Sequence, residues 1–185
     1  MTPTRADALL LLNEYVQNPN LQKHMFAVEA AMRAYATKFE EDVDWWGMVG
    51  LLHDFDYERY PDLKDHPYRG SEILRTKGYA DDFIETILAH AAHTGKPRDT
   101  QAKKAIFAVD ELCGLIVAVA LVRPNKKLSE VTVESVIKKI NQPAFARQVN
   151  RDEIRQGAAE LNLPLDEHVT IVLTALQNIH QTLGL

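Results

Sequence analysis

Residues 45–55 read WWGMVGLLHDF, an apolar run that ends in a histidine and an aspartate. Asp42 or Asp44 can cap a helix at the start of this run, because a carboxylate there accepts hydrogen bonds from the first free backbone amides. The two glycines of the run weaken such a helix by about 1 kcal/mol each, which is tolerable where another helix backbone must approach closely. The stretch therefore predicts a buried helix that ends at the polar pair His53–Asp54.

The sequence on both sides of this run keeps a helical period. Apolar residues recur every three or four positions, the spacing of one helix face. Asn18-Pro19-Asn20 interrupts the pattern before the run, and Asn20 is expected to cap the helix that follows. No segment alternates convincingly with period two, so the expected fold is all-α, a single-domain helical bundle over residues 1–185. The helices predicted after the run cover residues 69–77, 81–93, 100–122, 132–140, 143–149, 150–161 and 166–183.

The composition is that of a globular protein rather than a disordered one, with 46% hydrophobic and 25% charged residues. The formal net charge of −5 gives no general attraction for nucleic acid or an anionic membrane, so neither partner is expected. The longest apolar run, residues 112–122, would rise only about 16 Å as a helix, roughly half of the hydrocarbon thickness. The single cysteine, Cys113, fits a reducing compartment. We therefore expect a cytoplasmic protein.

Several histidines and aspartates fall where a predicted helix should turn inward. His24 and His90 lie on the apolar stripes of their helices, and Asp110 stands mid-helix among apolar neighbours. Buried carboxylates and imidazoles need partners, because an isolated buried charge is strongly unfavourable. A divalent cation satisfies neutral imidazole nitrogens and carboxylates together. These residues, with the pair His53–Asp54, therefore indicate a metal site.

The order H…HD…D resembles the pattern of the HD-domain superfamily of metal-dependent phosphohydrolases. It is matched here by His24, His53-Asp54 and Asp110, with H-x3-V opening one helix, GLLHDF closing another and VDEL in the middle of a third. The resemblance covers about residues 20–115, which would hold the metal site, and helices over about 130–184 would complete the domain. It implies an all-helical fold and a divalent metal bound by these four residues.

Some members of the superfamily have two further histidines, which hold a second metal, between the HD pair and the last aspartate. His66, in HPYRGSEIL, and His90, in ILAHAAH, lie in comparable places. The resemblance thus implies one or two divalent ions, with Asp54 between them. Imidazole and carboxylate ligands without a thiolate suit Fe, Mn, Co or Zn better than a pair of Mg ions. His93 lies one turn after His90, and whether it faces the same cleft stays open.

The substrate does not follow from the resemblance, because the chain departs from each branch with a known one. Cyclic-dinucleotide phosphodiesterases usually have two adjacent histidines where His90 is followed by Ala91. Alarmone hydrolases have H-D-x-x-E-D, whereas this chain reads HDFDYE from His53. Bacterial 5′-nucleotidases have a glutamate at the position of Tyr57.

The expected reaction is hydrolysis of a small phosphate ester or nucleotide by a metal-activated water. Asp54 would hold the metal, and Asp56 or Glu58 would accept the proton of the water. Arg69, one turn beyond His66, is the preferred candidate for contact with the phosphate. Two alternatives stay open: a diiron oxygenase on the same six ligands, and a non-catalytic sensor or interaction module. Besides Arg69, the side chains that could contact the phosphate are those of Lys23, Arg123, Lys126, Lys127, Arg147 and Arg151.

Overall fold

The computed structural model describes residues 3–185, and within this range the chain is built from α-helices without a strand, which confirms the predicted fold class. None of these helices is both long and apolar enough to cross a membrane. Short 3₁₀ segments occur at Ala92–Thr94 and Leu128–Glu130. The helices are α1 (Arg5–Tyr15), α2 (Pro19–Phe39), α3 (Val43–Leu52), α4 (Tyr68–Thr76), α5 (Asp81–Leu88), α6 (Gln101–Leu121), α7 (Val133–Ile140), α8 (Arg151–Glu160), α9 (Leu165–Asn178) and α10 (His180–Leu183).

Side-chain caps start the helices that carry the central polar residues. The Asp42 carboxylate accepts hydrogen bonds from two backbone amides of α3, each at 3.0 Å, as predicted. Helix α2 begins before the predicted cap Asn20: Asn18 accepts from the amide of Asn20 at 2.9 Å, and Pro19 is the first helical residue. Proline suits this position because its fixed φ matches the helix and the N–H it lacks would have no partner there.

The close packing of α2 on α3 depends on Gly50. A Cβ atom at this position would lie 2.8 Å from the backbone oxygen of Val28 and 2.9 Å from Cα of Glu29. The predicted approach of two helix backbones is thus confirmed at Gly50. At Gly47 a Cβ atom would instead meet the side chain of Arg33. Because α2 also packs on α6 and α9, it forms the centre of the bundle.

One hydrophobic core contains buried residues from each of α1 to α10. A buried polar chain joins three of these helices inside it. The hydroxyl of Tyr35 lies 2.6 Å from Nδ1 of His168, and Nε2 of His168 donates to the carbonyl of Ala108 at 3.0 Å. Burial lowers the pKa of His168 to about 4, so this ring is neutral and accepts the hydrogen bond of Tyr35.

The helix predicted over residues 143–149 is wrong. These residues form successive turns, and Ala146 has a φ of 42°. The Arg151 guanidinium donates hydrogen bonds to the carbonyl groups of Phe145, Ala146 and Val149. A side chain that lies later in the sequence thus satisfies carbonyl groups that a helical ladder would otherwise use.

Two other helices end earlier than predicted. Helix α5 stops at Leu88 instead of continuing to residue 93, and the hydroxyl of Thr94 donates to the carbonyl of Leu88 at 2.9 Å. The helix predicted over 166–183 is interrupted at Ile179, between α9 and α10. The first of these differences matters for the site, because it places His90 after the end of a helix rather than within one.

Candidate metal centre

The structure brings the six predicted ligands into one cluster. Helices α2 and α6 contribute His24 and Asp110, whose Nε2 and Oδ1 atoms lie 3.0 Å apart. His53 follows α3, and its Nε2 lies 3.5 Å from the same oxygen of Asp110. His66 lies in the turns before α4, and His90 follows α5. Four helices and one connecting segment therefore meet at this point.

Asp54 lies at the centre of the cluster. Its Oδ1 is 3.1 Å from Nε2 of His66 and 3.0 Å from Nε2 of His90, and its Oδ2 is 3.7 Å from Nε2 of His53. Two groups of three side chains are positioned to bind a metal ion: His24, His53 and Asp54 form one, and Asp54, His66 and His90 form the other. Within each group the ligand atoms lie within 4.8 Å of one another. Asp54 belongs to both groups.

The hydrogen bonds at Nδ1 fix the orientation of three imidazoles. Nδ1 of His53 lies 2.8 Å from the carbonyl of Gly50, and Nδ1 of His90 lies 2.7 Å from that of Ile87. Nδ1 of His66 lies 2.8 Å from Oδ1 of Asp56. Because carbonyl and carboxylate oxygens accept hydrogen bonds, these contacts assign a proton to each Nδ1. In the neutral rings, the lone pair of Nε2 is then left facing the cluster, as in metal-binding histidines.

The polar atoms at the centre fit a divalent cation. Among residues 3–185, the buried atoms Nε2 of His53 and Oδ1 of Asp54 have no hydrogen-bond partner. Lone pairs of nitrogen and oxygen that face each other at 3.0–3.7 Å repel unless a proton or a cation lies between them. Imidazole nitrogens and carboxylate oxygens are ligands that Fe, Mn, Co and Zn share. The donor set therefore suits one of these metals.

The electrostatics of the cluster favour positive charge between its side chains. Burial opposes protonation of His53, but Asp54 and Asp110 outweigh it and raise the pKa of His53 to about 9. Burial is likewise outweighed at His66, where Asp54 and Asp56 raise the pKa to about 10. Burial alone would raise the pKa of Asp54 and of Asp110, but the neighbouring histidines hold both well below the usual range. A cation bound here would replace the protons of these rings.

Asp56, expected as a proton acceptor, is buried and uses both oxygens to hold other groups. Its Oδ1 accepts from Nδ1 of His66, and its Oδ2 accepts from the amide of Gly70 at 2.7 Å. His93, whose role the sequence left open, donates from Nε2 to the carbonyl of His66 at 3.0 Å. Both residues therefore fix the segment that carries His66.

Glu58, the other residue expected to accept a proton, is not brought to the cluster. It is exposed, and its carboxylate accepts hydrogen bonds from the amides of Gln17 and Asn18 at 2.9 and 3.0 Å. It thereby fastens the turn between α1 and α2.

Arg69, expected at the phosphate, also lies outside the cluster. Its guanidinium is exposed and pairs with Glu72 at 3.1 Å and Asp65 at 3.5 Å. This arginine extends from the outer face of α4.

Two acidic residues that the sequence pattern did not indicate lie near Asp110. Burial and the charge of Asp110 raise the pKa of Glu111 to about 7, and the same two causes raise the pKa of Glu153. Glu111 also accepts a hydrogen bond from the amide of Asn150 at 3.1 Å. The only signal in the sequence was that Glu111 directly follows Asp110; nothing in the pattern indicated that the start of α8 approaches the cluster.

The cluster opens to solvent on one side. The side chains of His24, Asp54 and Asp110 are 24%, 19% and 21% exposed, whereas the other three histidines are nearly or completely buried. A ligand therefore reaches the cluster from the side of α2 and α6.

Comparison with known proteins agrees with this geometry. The model of the HD-domain family matches residues 21–142, a range that contains all six clustered residues and more than half of the chain. A search of curated proteins and a search of solved structures each gave no match. The HD domain is an all-α fold, and the match indicates the superfamily of metal-dependent phosphohydrolases. The chain therefore belongs to the HD-domain family.

Proposed function

We propose that this protein is a metal-dependent phosphohydrolase that releases phosphate from a small phosphate ester or nucleotide. The observation that carries the proposal is the pair of triads that share Asp54, with unpartnered lone pairs at its centre. A divalent ion held there lowers the pKa of a bound water toward neutrality and polarises phosphoryl oxygens.

The clustered side chains divide into two ligand sets in this proposal. His24, His53, Asp54 and Asp110 would hold the first ion, and His66 and His90 would hold a second ion together with Asp54. Two ions held in this way would stabilise both the attacking and the leaving oxygen of a phosphate ester.

The surrounding groups keep these ligands in place. The carbonyls of Gly50 and Ile87 orient two of the rings, and Asp56 and His93 hold His66. Such outer partners fix ring orientation and raise the basicity of the ligating nitrogen. Asp56 therefore acts as a positioning residue, and Glu58 and Arg69 have no part in the proposed site.

Metal analysis of untagged protein tests the two ligand sets. We expect two ions per chain in the wild type and one in His66→Ala and in His90→Ala, because each variant removes a ligand of the second ion alone. His180→Ala is the matched control, since His180 is exposed and lies outside the family match. One ion in all four proteins would restrict the proposal to a mononuclear enzyme. Full metal occupancy in Asp54→Ala would contradict both sets.

Anaerobic assays test the reaction. We expect release of phosphate from a panel of phosphate esters when Mn²⁺ or another divalent ion is supplied, and loss of that activity with a chelator or in Asp54→Ala. Turnover that instead requires oxygen and redox-active iron would replace the proposal with a diiron oxygenase. Bound metal without either activity would indicate a sensor or interaction module.

A further inference from the structure

A cavity of about 250 Å³ lies beside the open side of the metal cluster. His24 lines it and also belongs to the cluster, so the cavity and the cluster are adjacent at this side chain. Its other walls include Val117 and Leu121 of α6 and Leu183 of α10, and Lys23 stands next to His24. The cavity is thus largely aliphatic, and the ammonium of Lys23 lies near α10, where a Cβ atom added at Gly184 would lie 3.1 Å from its Nζ.

The cavity follows the face of α6 that carries Asp110. At 100° per residue, positions 114, 117 and 121 all lie within about 40° of the direction of Asp110. Each of these three positions lines the cavity. A molecule whose phosphate lies at Asp110 and His24 can therefore follow this helix face in an extended conformation.

Gly114 keeps this wall of the cavity open. Glycine in a helix interior costs about 1 kcal/mol relative to alanine. At Gly50 and Gly157 packing requires the glycine, because a Cβ atom would meet backbone atoms of α2 or α6. At Gly114 a Cβ atom would meet no neighbouring atom of the described residues within 4 Å. Packing therefore does not require this glycine, whereas a ligand in the cavity would.

We propose that the cavity binds the organic group of the substrate, and that the substrate is a small alkyl phosphate monoester. The inference rests on the proposed phosphohydrolase function. The volume is below the 300–1,000 Å³ of typical ligand pockets, which suits a chain of a few carbon atoms. The lining contains no Phe, Tyr or Trp on which a base could stack, so an aliphatic ester fits better than a nucleotide.

Binding of alkylphosphonates to the metal-loaded protein tests the inference, because their carbon–phosphorus bond resists hydrolysis. We expect calorimetric affinities to rise from methyl- to butyl- to hexylphosphonate, by up to about fourfold for each buried methylene. The affinity for butylphosphonate should exceed that for methylphosphonate at least tenfold; this rise with chain length is the gain that the variants should change. Gly114→Leu fills the cavity and should abolish the gain, and Gly114→Ala should reduce it while raising the thermal unfolding midpoint.

Leu121→Ala and Leu10→Ala are a matched pair of substitutions. Leu121 and Leu10 are both exposed, at 49% and 70%, but only Leu121 lines the cavity. Leu121→Ala should reduce the rise in phosphonate affinity with chain length, and Leu10→Ala should leave that rise unchanged. Equal affinities for the three phosphonates, no phosphonate binding, or an undiminished gain in folded Gly114→Leu or Gly114→Ala would overturn the inference.

Phosphate release from the corresponding alkyl phosphates separates the two proposals. Chain-length-dependent phosphonate binding without any release of phosphate would support the cavity as a binding site and overturn the hydrolase. Release of phosphate with chain-independent binding would overturn the cavity assignment and leave the hydrolase.

Discussion

Asp56 should set the affinity of the second metal ion without contacting it. It is completely buried and accepts two hydrogen bonds, at 2.8 Å from Nδ1 of His66 and at 2.7 Å from the amide of Gly70. Asp56→Asn keeps the shape of the side chain but replaces one acceptor oxygen with an NH₂ group. In either orientation of the amide, one of the two donors then faces another donor.

The size of the expected loss in metal affinity depends on which of the two donors is left without an acceptor. Outer partners of ligating histidines typically contribute 10–100-fold to metal affinity, which corresponds to about 1.4–2.7 kcal/mol at 1.36 kcal/mol per decade. The lower value applies if the remaining oxygen stays on His66, and the higher value applies if it stays on Gly70. A buried donor without an acceptor also lowers the free energy of unfolding by about 1–3 kcal/mol.

Competition with a chromophoric chelator measures the two metal affinities separately. We expect weaker binding of the second ion in Asp56→Asn, whereas the first ion should bind as in the wild type because none of its other ligands, His24, His53 and Asp110, is hydrogen-bonded to Asp56. Asp62→Asn is the control, because the carboxylate of Asp62 is exposed and its ion-pair partner is the exposed Lys64, with Nζ 3.9 Å from Oδ2. An unchanged second affinity, or equal weakening of both ions, would refute the positioning role.

Three further changes test other parts of the structure. Gly50→Ala should lower the free energy of unfolding by about 1–3 kcal/mol in urea, because its Cβ atom would lie 2.8 Å from the backbone oxygen of Val28. His168→Gln should remove an acid-induced loss of stability. Burial lowers the pKa of His168 from 6.5 to about 4, so the unfolded state binds the proton more tightly, and the wild type should lose about 3 kcal/mol relative to the variant as the pH falls from 6.5 to 4. Asp110→Asn should weaken the first ion by more than the roughly 100-fold that an outer partner contributes, as metal titration can show.

Each of these three predictions has an outcome that would contradict it. Gly114→Ala, where the added atom enters open space, is the control for Gly50→Ala, and equal destabilisation of the two would argue against close backbone packing. Parallel stability curves of the wild type and His168→Gln between pH 4 and 7 would show that His168 does not titrate at a lowered pKa. Wild-type metal affinity in Asp110→Asn would exclude Asp110 as a ligand.

The H…HD…H…H…D pattern was sufficient to predict which residues cluster, although only His24 and Asp110 lie within helices and the others lie in turns next to helix ends. It was not sufficient for the residues that follow the HD pair. Asp56 and Glu58 are two positions apart, yet the turns after α3 direct Asp56 toward His66 and Glu58 toward the start of α2. Arg69 is next to Gly70, whose amide faces Asp56, but successive helical side chains diverge by about 100°. Proximity in sequence predicted the neighbourhood of these side chains but not their direction.

Periodicity and caps predicted the long helices for a similar reason, since both signals are local. Helix α6 runs from Gln101 to Leu121, within one residue of the predicted range 100–122, and carries Asp110 at its middle. Residues 143–149 show the limit of periodicity and caps: their carbonyls accept hydrogen bonds from the guanidinium of Arg151, a side-chain contact that neither signal reveals.

The hydrogen bonds of His53 and His90 also connect the metal cluster to two helix termini. Gly50 and Ile87 lie in the last turns of α3 and α5, where backbone carbonyls carry the negative end of the helix macrodipole, roughly half an elementary charge. This charge acts on a cation through the imidazole rings without adding a carboxylate, and its burial protects it from screening by salt. Fraying of either terminal turn would release a ring, so metal affinity and local helix stability are thermodynamically linked. Binding of metal should therefore slow amide hydrogen exchange selectively in the last turns of α3 and α5.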